Sequence, residues 1–365
     1  MIEFYELDDV TLLPAVINNG YPGGKANFLV QDPVDGSTSL PIFASPMEAI
    51  IDEESARLFF EAGIKPVIPE TVPLNVRMNL CNVTFCAFTL REIRNNFIDG
   101  SGGRQGIQHI CIDAGNGHDV SILQTGWDLK KKYGKGCILM GGNIGLPEIY
   151  KDYSNAGFDY VRVGLASGSL VDKAKYGFHY PMASLLDDLK NYRTNGAGKG
   201  LREVKVIADG GINSYSDILK ALACGADYVM LGHEFARVLE AAGAIYKKSK
   251  DSHGEINMDE IDPSTLRDYS GFKAKLDGLC RQYYGNTTPE VRAHRAGFED
   301  VEQWKRSKPK IRVSDAAWDW VSIDATLEEW IEDFKHCAYY GFMMTNATSW
   351  DEFKKNAKYG IGSSI

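Results

Sequence analysis

Three stretches decide how this chain is read: YVRVGLASGSL at Tyr160–Leu170, VKVIADGGIN at Val204–Asn213 and DYVMLGHEFA at Asp227–Ala236. Each is a short β-branched run that gives way to glycine and small polar residues. Buried parallel strands look like this when their C-terminal ends meet a ligand. Gly164, Ser167, Gly168 and Ser169, then Gly210 and Gly211, then Gly232 offer backbone N–H groups with little side-chain bulk. Turns of that kind cradle phosphate. The three stretches therefore read as the phosphate-gripping side of a (β/α)8 barrel, with a nucleotide as ligand.

The same rhythm extends outward. Short apolar runs at 41–46, 65–69, 83–90, 109–116, 137–143, 160–165, 205–211 and 228–233 give eight strands, most followed by an amphipathic stretch that ends near glycine. Alternation of this kind calls for a parallel sheet with helices outside it. Eight units over about 200 residues match the closed barrel. The alternative, an open doubly wound sheet, usually carries an early GxGxxG after its first strand, and none stands there. The first forty residues hold YPGG, QDP and DGS and read as a lead-in with short hairpin pieces. Beyond residue 245 the rhythm breaks into charged, turn-rich text, and helical periodicity returns at 326–353, with Leu327, Trp330, Ile331 and Phe334 on one face. The expected organisation is one α/β (β/α)8 TIM barrel domain over 1–365, with a lid at about 283–325 and packed terminal helices at 326–356.

Composition narrows the class. A net charge of −9 argues against a nucleic-acid-binding surface. The seven cysteines are scattered without CxxC or Cys/His spacing, so no structural metal is expected; Cys111 and Cys137 sit in apolar runs as buried free thiols. A reducing, cytoplasmic setting fits. No apolar run is long enough to span a bilayer, and the N-terminus lacks the pattern of a signal peptide.

Taken in order, the motifs resemble the IMP dehydrogenase/GMP reductase family, more closely its GMP reductase side. The matching segments are YELDDVTLLP (5–14), PIFASPMEAI (41–50), IDAGNGH (112–118), GGNIGLPEIYKDYSNAGFDYVRVGLASGS (141–169), IADGGI (207–212), GADYVMLG (225–232) and YYGNTT (283–288). The resemblance implies a purine nucleoside monophosphate as substrate, NADPH or NADH as cofactor, no metal, no nucleic-acid or membrane partner, and a homotetramer. It also implies residue roles. Asp209 would hold the ribose hydroxyls, its other reading being a turn or capping aspartate. Gly168, Ser169, Gly210, Gly211 and Gly232 would grip the 5′-phosphate, their other reading being tight-turn positions. His233 stands where the family has a small residue and would either add a donor to the phosphate or point outward. Ser45 and Met47 would lie beneath the base, although a methionine there is more often core. Tyr284, Gly285 and Asn286, in the turn resembling YGMSS, would complete the substrate side. Asp113, Ala114, Gly115, Asn116 and Asn143 would line the nicotinamide pocket, with Asx turns as the alternative for the two asparagines.

Two departures bear on the reaction. The family carries a cysteine two residues beyond the serine of this loop, and its thiolate bonds covalently to the purine. Here that position is Val171, followed by Asp172 and Lys173, the polar residues left there as catalytic candidates beside Asp113. The family's lid glutamate, in R-x-S-E-G, corresponds to Lys308 in KRSKPK (305–310), with Ser307 retained. Two function classes follow. One is an NAD(P)-dependent oxidoreductase working on a purine nucleotide without a cysteine. The other is a nucleotide-binding homologue that has lost redox activity and serves as sensor, partner subunit or non-redox catalyst.

Overall fold

The computed structural model describes residues 3–16, 26–100, 106–168, 177–194, 199–250, 256–262, 276–285, 303, 306–307 and 319–362. Eight parallel strands close on themselves: β1 (Ile42–Ala44), β2 (Lys65–Ile68), β3 (Phe85–Phe88), β4 (Gln108–Ile112), β5 (Cys137–Ile144), β6 (Tyr160–Val163), β7 (Lys205–Asp209) and β8 (Tyr228–Leu231). β8 pairs with β1 and β6 with β7, so the circuit has no edge. All eight strands coincide with the eight apolar runs, and the open sheet is excluded. Every residue of β1, β2, β3, β4, β6 and β8 is buried. Burial on both faces explains why these strands read as continuous apolar text rather than as an alternating pattern.

The outer layer is α1 (Glu53–Glu61), α2 (Leu74–Leu80), α3 (Leu90–Ile93), α4 (Val120–Tyr133), α5 (Ile149–Ala156), α6 (Met182–Thr194), α7 (Tyr215–Cys224) and the single turn α8 (His233–Ala236). Local chemistry sets their starts. Asp52 and Ser55 form a reciprocal capping box at α1, and Ser214 caps α7. Each such cap is worth about 1 kcal/mol. No helix among the described residues is long and apolar enough to cross a membrane.

The floor of the barrel is closed by buried charge. A hairpin pairing Val30–Gln31 with Thr38–Ser39 carries Asp32, fully buried, to the N-terminal ends of the strands. Lys65 Nζ donates to Asp32 Oδ2 at 2.5 Å and to Asp35 Oδ2 at 3.0 Å, and Tyr160 Oη donates to Asp32 Oδ2 at 2.6 Å. The ammonium also lies over the rings of Phe43, Tyr160 and Tyr228, 5.6–5.8 Å from their centroids. Burial works against the Asp32 carboxylate, but Lys65 and Tyr160 outweigh it and hold its pKa below the ordinary aspartate value.

The C-terminal third departs from the sequence expectation. Text read as charged and turn-rich forms a four-stranded antiparallel sheet in the order Ile256–Ile261, Ile245–Lys250, Leu279–Tyr283, Asp319–Ser322. The outermost strand is mostly exposed, so no apolar alternation announced it. Its register sets Lys247 opposite Asp259, a cross-strand pair of opposite charge. Arg281 pins this sheet to the barrel. It is fully buried and donates to the carbonyls of Ala236, Val238, Leu239, Ala241 and Gly243 at 2.8–3.3 Å. The terminal helices form as expected, α9 (Leu327–Thr345) and α10 (Trp350–Asn356), with Trp330 stacked on Phe334 and Phe334 on Trp350. The chain ends meet where Val10–Leu13 pairs with Lys358–Ile361.

Removing one partner of the floor cluster strands a buried charge. We expect Asp32→Asn to lower the unfolding free energy at neutral pH by about 3–5 kcal/mol in urea titrations. The depressed carboxylate contributes stability that is present above its unfolded pKa and lost as pH falls through the folded value. The difference between wild type and variant therefore narrows below about pH 4.

Candidate functional site

The residues singled out from the sequence gather at the C-terminal mouth of the barrel, around one they did not include. Arg162 lies in β6 and is buried. Its Nη2 donates to Asp113 Oδ1 at 2.6 Å and to Asn143 Oδ1 at 2.7 Å. Its Nε lies 3.5 Å from Asp209 Oδ2. Asn143 Nδ2 closes the circuit by donating to Asp209 Oδ2 at 2.9 Å. Asp113 follows β4, Asn143 lies in β5 and Asp209 ends β7, so four neighbouring strands meet through one guanidinium. Burial disfavours the Arg162 cation, but Asp113 and Asp209 outweigh it and raise its pKa above the usual arginine value. Burial raises the Asp209 carboxyl, with Arg162 and Asn143 opposing it. Arg162 was detectable in the sequence as a charged residue inside the apolar run YVRV.

The turns after β6 and β7 pack backbone to backbone. Gly164 has φ +123° and leaves no room for a side chain: a Cβ there would lie 2.3 Å from the Asp209 carbonyl oxygen. At Gly210, φ +96°, a Cβ would lie 2.8 Å from the Gly168 nitrogen. Gly211 packs against the Ser167 carbonyl, and Ala166 holds a left-handed φ of 56°. The β8 turn is covered instead by side chains. A Cβ on Gly232 would meet Tyr283 Oη at 2.7 Å and Met47 Sδ at 3.0 Å. The His233 ring stands edge-on to Tyr283 at 5.6 Å. Tyr283, from the C-terminal sheet, therefore reaches the β8 turn, while Tyr284 and Gly285 beside it are half-buried. Ser45 anchors the end of β1, its N–H donating to the Leu231 carbonyl at 3.0 Å.

Among the described residues, the buried side-chain nitrogens and oxygens without a hydrogen-bond partner are Arg162 Nε, Ser167 Oγ, Tyr228 Oη and His233 Nδ1. Ser167 Oγ and His233 Nδ1 belong to the turns after β6 and β8, on either side of the Gly210–Gly211 turn, while Arg162 Nε faces Asp209 Oδ2 at 3.5 Å. A buried polar group left without a partner costs about 1–3 kcal/mol, so this clustering asks for a polar ligand.

On the opposite side, Ala114 is half-buried while Gly115 and Asn116 are exposed. Asn116 Oδ1 accepts from the His118 N–H at 3.1 Å, the Asx-type arrangement. Asn143 does otherwise, its amide being spent on Asp209 and Arg162. His118 Nε2 accepts from the Gly145 N–H at 2.9 Å and ties the β4 turn to the β5 turn. Cys111, the thiol next to Arg162, is buried and its pKa is pushed up to about 12 by burial. Ser169, Val171, Asp172, Lys173, Asn286 and Lys308 lie outside the described residues.

A domain model described as IMP dehydrogenase / GMP reductase matches residues 103–261. A GMP reductase of Streptococcus suis is 29% identical over 288 residues, spanning 74% of this chain and 83% of that protein. A GMP reductase of Enterococcus faecalis is 25% identical over 325 residues, spanning 85% of this chain and 86% of that protein. These likenesses agree with the resemblance of the chain to the IMP dehydrogenase/GMP reductase family. Inosine 5′-monophosphate dehydrogenase from Legionella pneumophila shares the fold of this chain, with a TM-score of 0.70 at 18% identity over 99% of both chains. The family's purine nucleotide oxidoreductase character stands beside a mouth whose nearest thiol, Cys111, is protonated at neutral pH.

Arg162→Met would leave two carboxylates facing each other. We expect it to lower stability by about 3–5 kcal/mol, measured by urea unfolding. Adding Asp113→Asn should recover part of that loss, with a double-mutant coupling of about 0.5–3 kcal/mol. Strict additivity would mean that Arg162 and Asp113 do not act as a unit.

Proposed function

We propose that the barrel mouth binds a purine nucleoside 5′-monophosphate together with NADH or NADPH, and supports hydride transfer between them without a thiolate nucleophile. The observation that carries this reading is the set of partnerless buried atoms on the turns after β6 and β8, flanking the Gly210–Gly211 backbone. Ser167 Oγ and His233 Nδ1 supply phosphate contacts in addition to backbone N–H groups. Asp209, steadied by Asn143, accepts from the ribose hydroxyls. Ser45 and Met47 lie under the base of a nucleotide held by the single barrel domain; most of the segment 283–325, expected as a lid, lies outside the described residues, and Asp319–Ser322 within it is a strand of the C-terminal sheet.

The residues on the β4 side fit a nicotinamide cofactor. The half-buried Asp113 carboxylate suits a hydroxyl or carboxamide donor, while Asn143, spent on Asp209 and Arg162, shapes the wall beside it. Gly115 has open space where a side chain would project. NAD(P)H, when bound there, supplies the hydride. The Arg162 cation, held at fixed distance from both carboxylates, stabilises negative charge that builds on a neighbouring purine nitrogen, a preorganised electrostatic contribution that needs no covalent bond. Cys111 does not replace the missing nucleophile, because burial keeps its thiol protonated.

The nucleotide reading is tested by thermal denaturation with GMP, IMP, AMP and their deoxy forms. A bound nucleotide at about 100 times its Kd adds about 2.7 kcal/mol of stability, and Asp209→Ala should remove most of that gain. No stabilisation by any nucleotide would sink the assignment. The redox reading is tested separately by the absorbance of NADH and NADPH with each nucleotide present. Binding without any fall in absorbance would place the chain among nucleotide-binding relatives that have lost redox activity. Val171→Cys probes the loop: with family geometry retained, the new thiol is alkylated faster than Cys111 or Cys137, whose pKa values burial pushes up to about 12.

A further inference from the structure

At the opposite end of the barrel a cleft of about 470 Å³ opens between the N-terminal hairpin, the starts of β7 and β8, and α10. Its volume lies within the range of small-molecule sites, about 300–1,000 Å³. Lys205 and Lys354 line it, along with Asp227, Asp351, Gln31 and Asn27. Nothing in the nucleotide reading uses these residues. Lys205 begins β7 and Asp209 ends it, so the cleft and the mouth lie about 13 Å apart along one strand.

The charges around the cleft are not all matched. Asp227 is committed inward: its Oδ2 accepts from Arg193 Nη1 at 2.9 Å and from the Val206 N–H at 2.8 Å. Lys205 Nζ donates to Glu203 Oε1 at 2.7 Å and lies 3.9 Å from Asp227 Oδ1. Lys354 is different. Among the described residues, its hydrogen bond goes to the backbone carbonyl of Asp227 at 3.0 Å, and no carboxylate comes within ion-pair distance. Asp227 and Asp351 attract its ammonium from further away, while Lys205 and Arg193 repel it. Burial holds its pKa below the usual lysine value. Lys354 is half-buried, and a lysine ammonium partly removed from water is normally paired.

We propose that this cleft is a second binding site, for a compact anionic metabolite bearing a phosphate or carboxylate group, with Lys354 as its principal contact and Lys205 as its second. An anion there completes the pairing that the chain leaves open at Lys354 and draws on the amides of Asn27 and Gln31. Binding raises the Lys354 pKa, because the anion favours the charged form.

The test is acylation footprinting of the full chain at pH 8 with inorganic pyrophosphate or citrate as probe, read by peptide mass spectrometry. Lys355, exposed on the same helix, is the internal control. At about ten times its Kd, a bound probe slows acylation of Lys354 about tenfold and leaves Lys355 unchanged. Protection by pyrophosphate alone identifies a phosphate ligand, and protection by citrate alone a carboxylate ligand. Loss of calorimetric pyrophosphate or citrate binding in Lys354→Met, with retention in Lys354→Arg, supports the site. Equal labelling of Lys354 with and without either probe overturns it, as does full binding by Lys354→Met. The nucleotide reading is scored independently: Asp209→Ala should abolish nucleotide stabilisation while leaving Lys354 protection intact.

Discussion

Arg162 is the constraint on which the mouth of this barrel depends. A guanidinium has a planar fork of donors, and here one nitrogen, Nη2, donates to both Asp113 and Asn143 while Nε faces Asp209. The ends of four strands are thereby fixed relative to one another by a charge that would be costly to bury alone. The same contacts decide how much freedom Asp209 has. Its Oδ2 is engaged by Asn143 and approached by Arg162, which turns the side chain toward the centre of the mouth. A site built from strand ends gains its precision from such locks, because the turns that follow the strands are short and rich in glycine.

The barrel uses a related device at its other end. Lys65, Asp32, Asp35 and Tyr160 form a buried network, with the aromatic rings of Phe43 and Tyr228 packed around the ammonium. Between the two charged layers lie Val67, Ile138, Met140, Ile207 and Met230, a buried apolar filling. Arg281 repeats the theme outside the barrel. Five carbonyls of a connecting loop converge on it, and the C-terminal sheet is held close enough for Tyr283 to cover the β8 turn. Buried charge that is fully engaged gives position rather than raw stability. In this chain, position is what the mouth needs.

Chemically, the mouth offers a firm set of contacts and a restricted set of reactive groups. Six of the seven cysteines are buried and Cys337 is half-buried on α9, so the thiols are structural. What remains at the mouth is a fixed cation, two carboxylates, an amide and three glycine-rich turns. Such a set binds, orients and stabilises charge, the functions that hydride transfer to a polarised double bond requires of a protein.

The eight strands, their order and the glycines of the turns were legible in the sequence, because a two-sided buried strand must be apolar throughout and a turn against another backbone must lack a Cβ. Asp113, Asn143 and Asp209 could be placed at strand ends for the same reason. Their joining through Arg162 could not, since it requires four strands separated by about a hundred residues to close on one another. Tyr283 escaped notice because the antiparallel sheet that carries it is largely solvated and shows no clean periodicity. The cleft beside Lys354 combines residues from positions 27 to 354 and exists only once the chain's two ends pack together. The sequence by itself determined the barrel, through local patterns of burial and turn chemistry, and carried the motifs behind the family resemblance. Only the tertiary structure decided which polar groups meet and which are left without partners, because that depends on contacts between residues far apart along the chain.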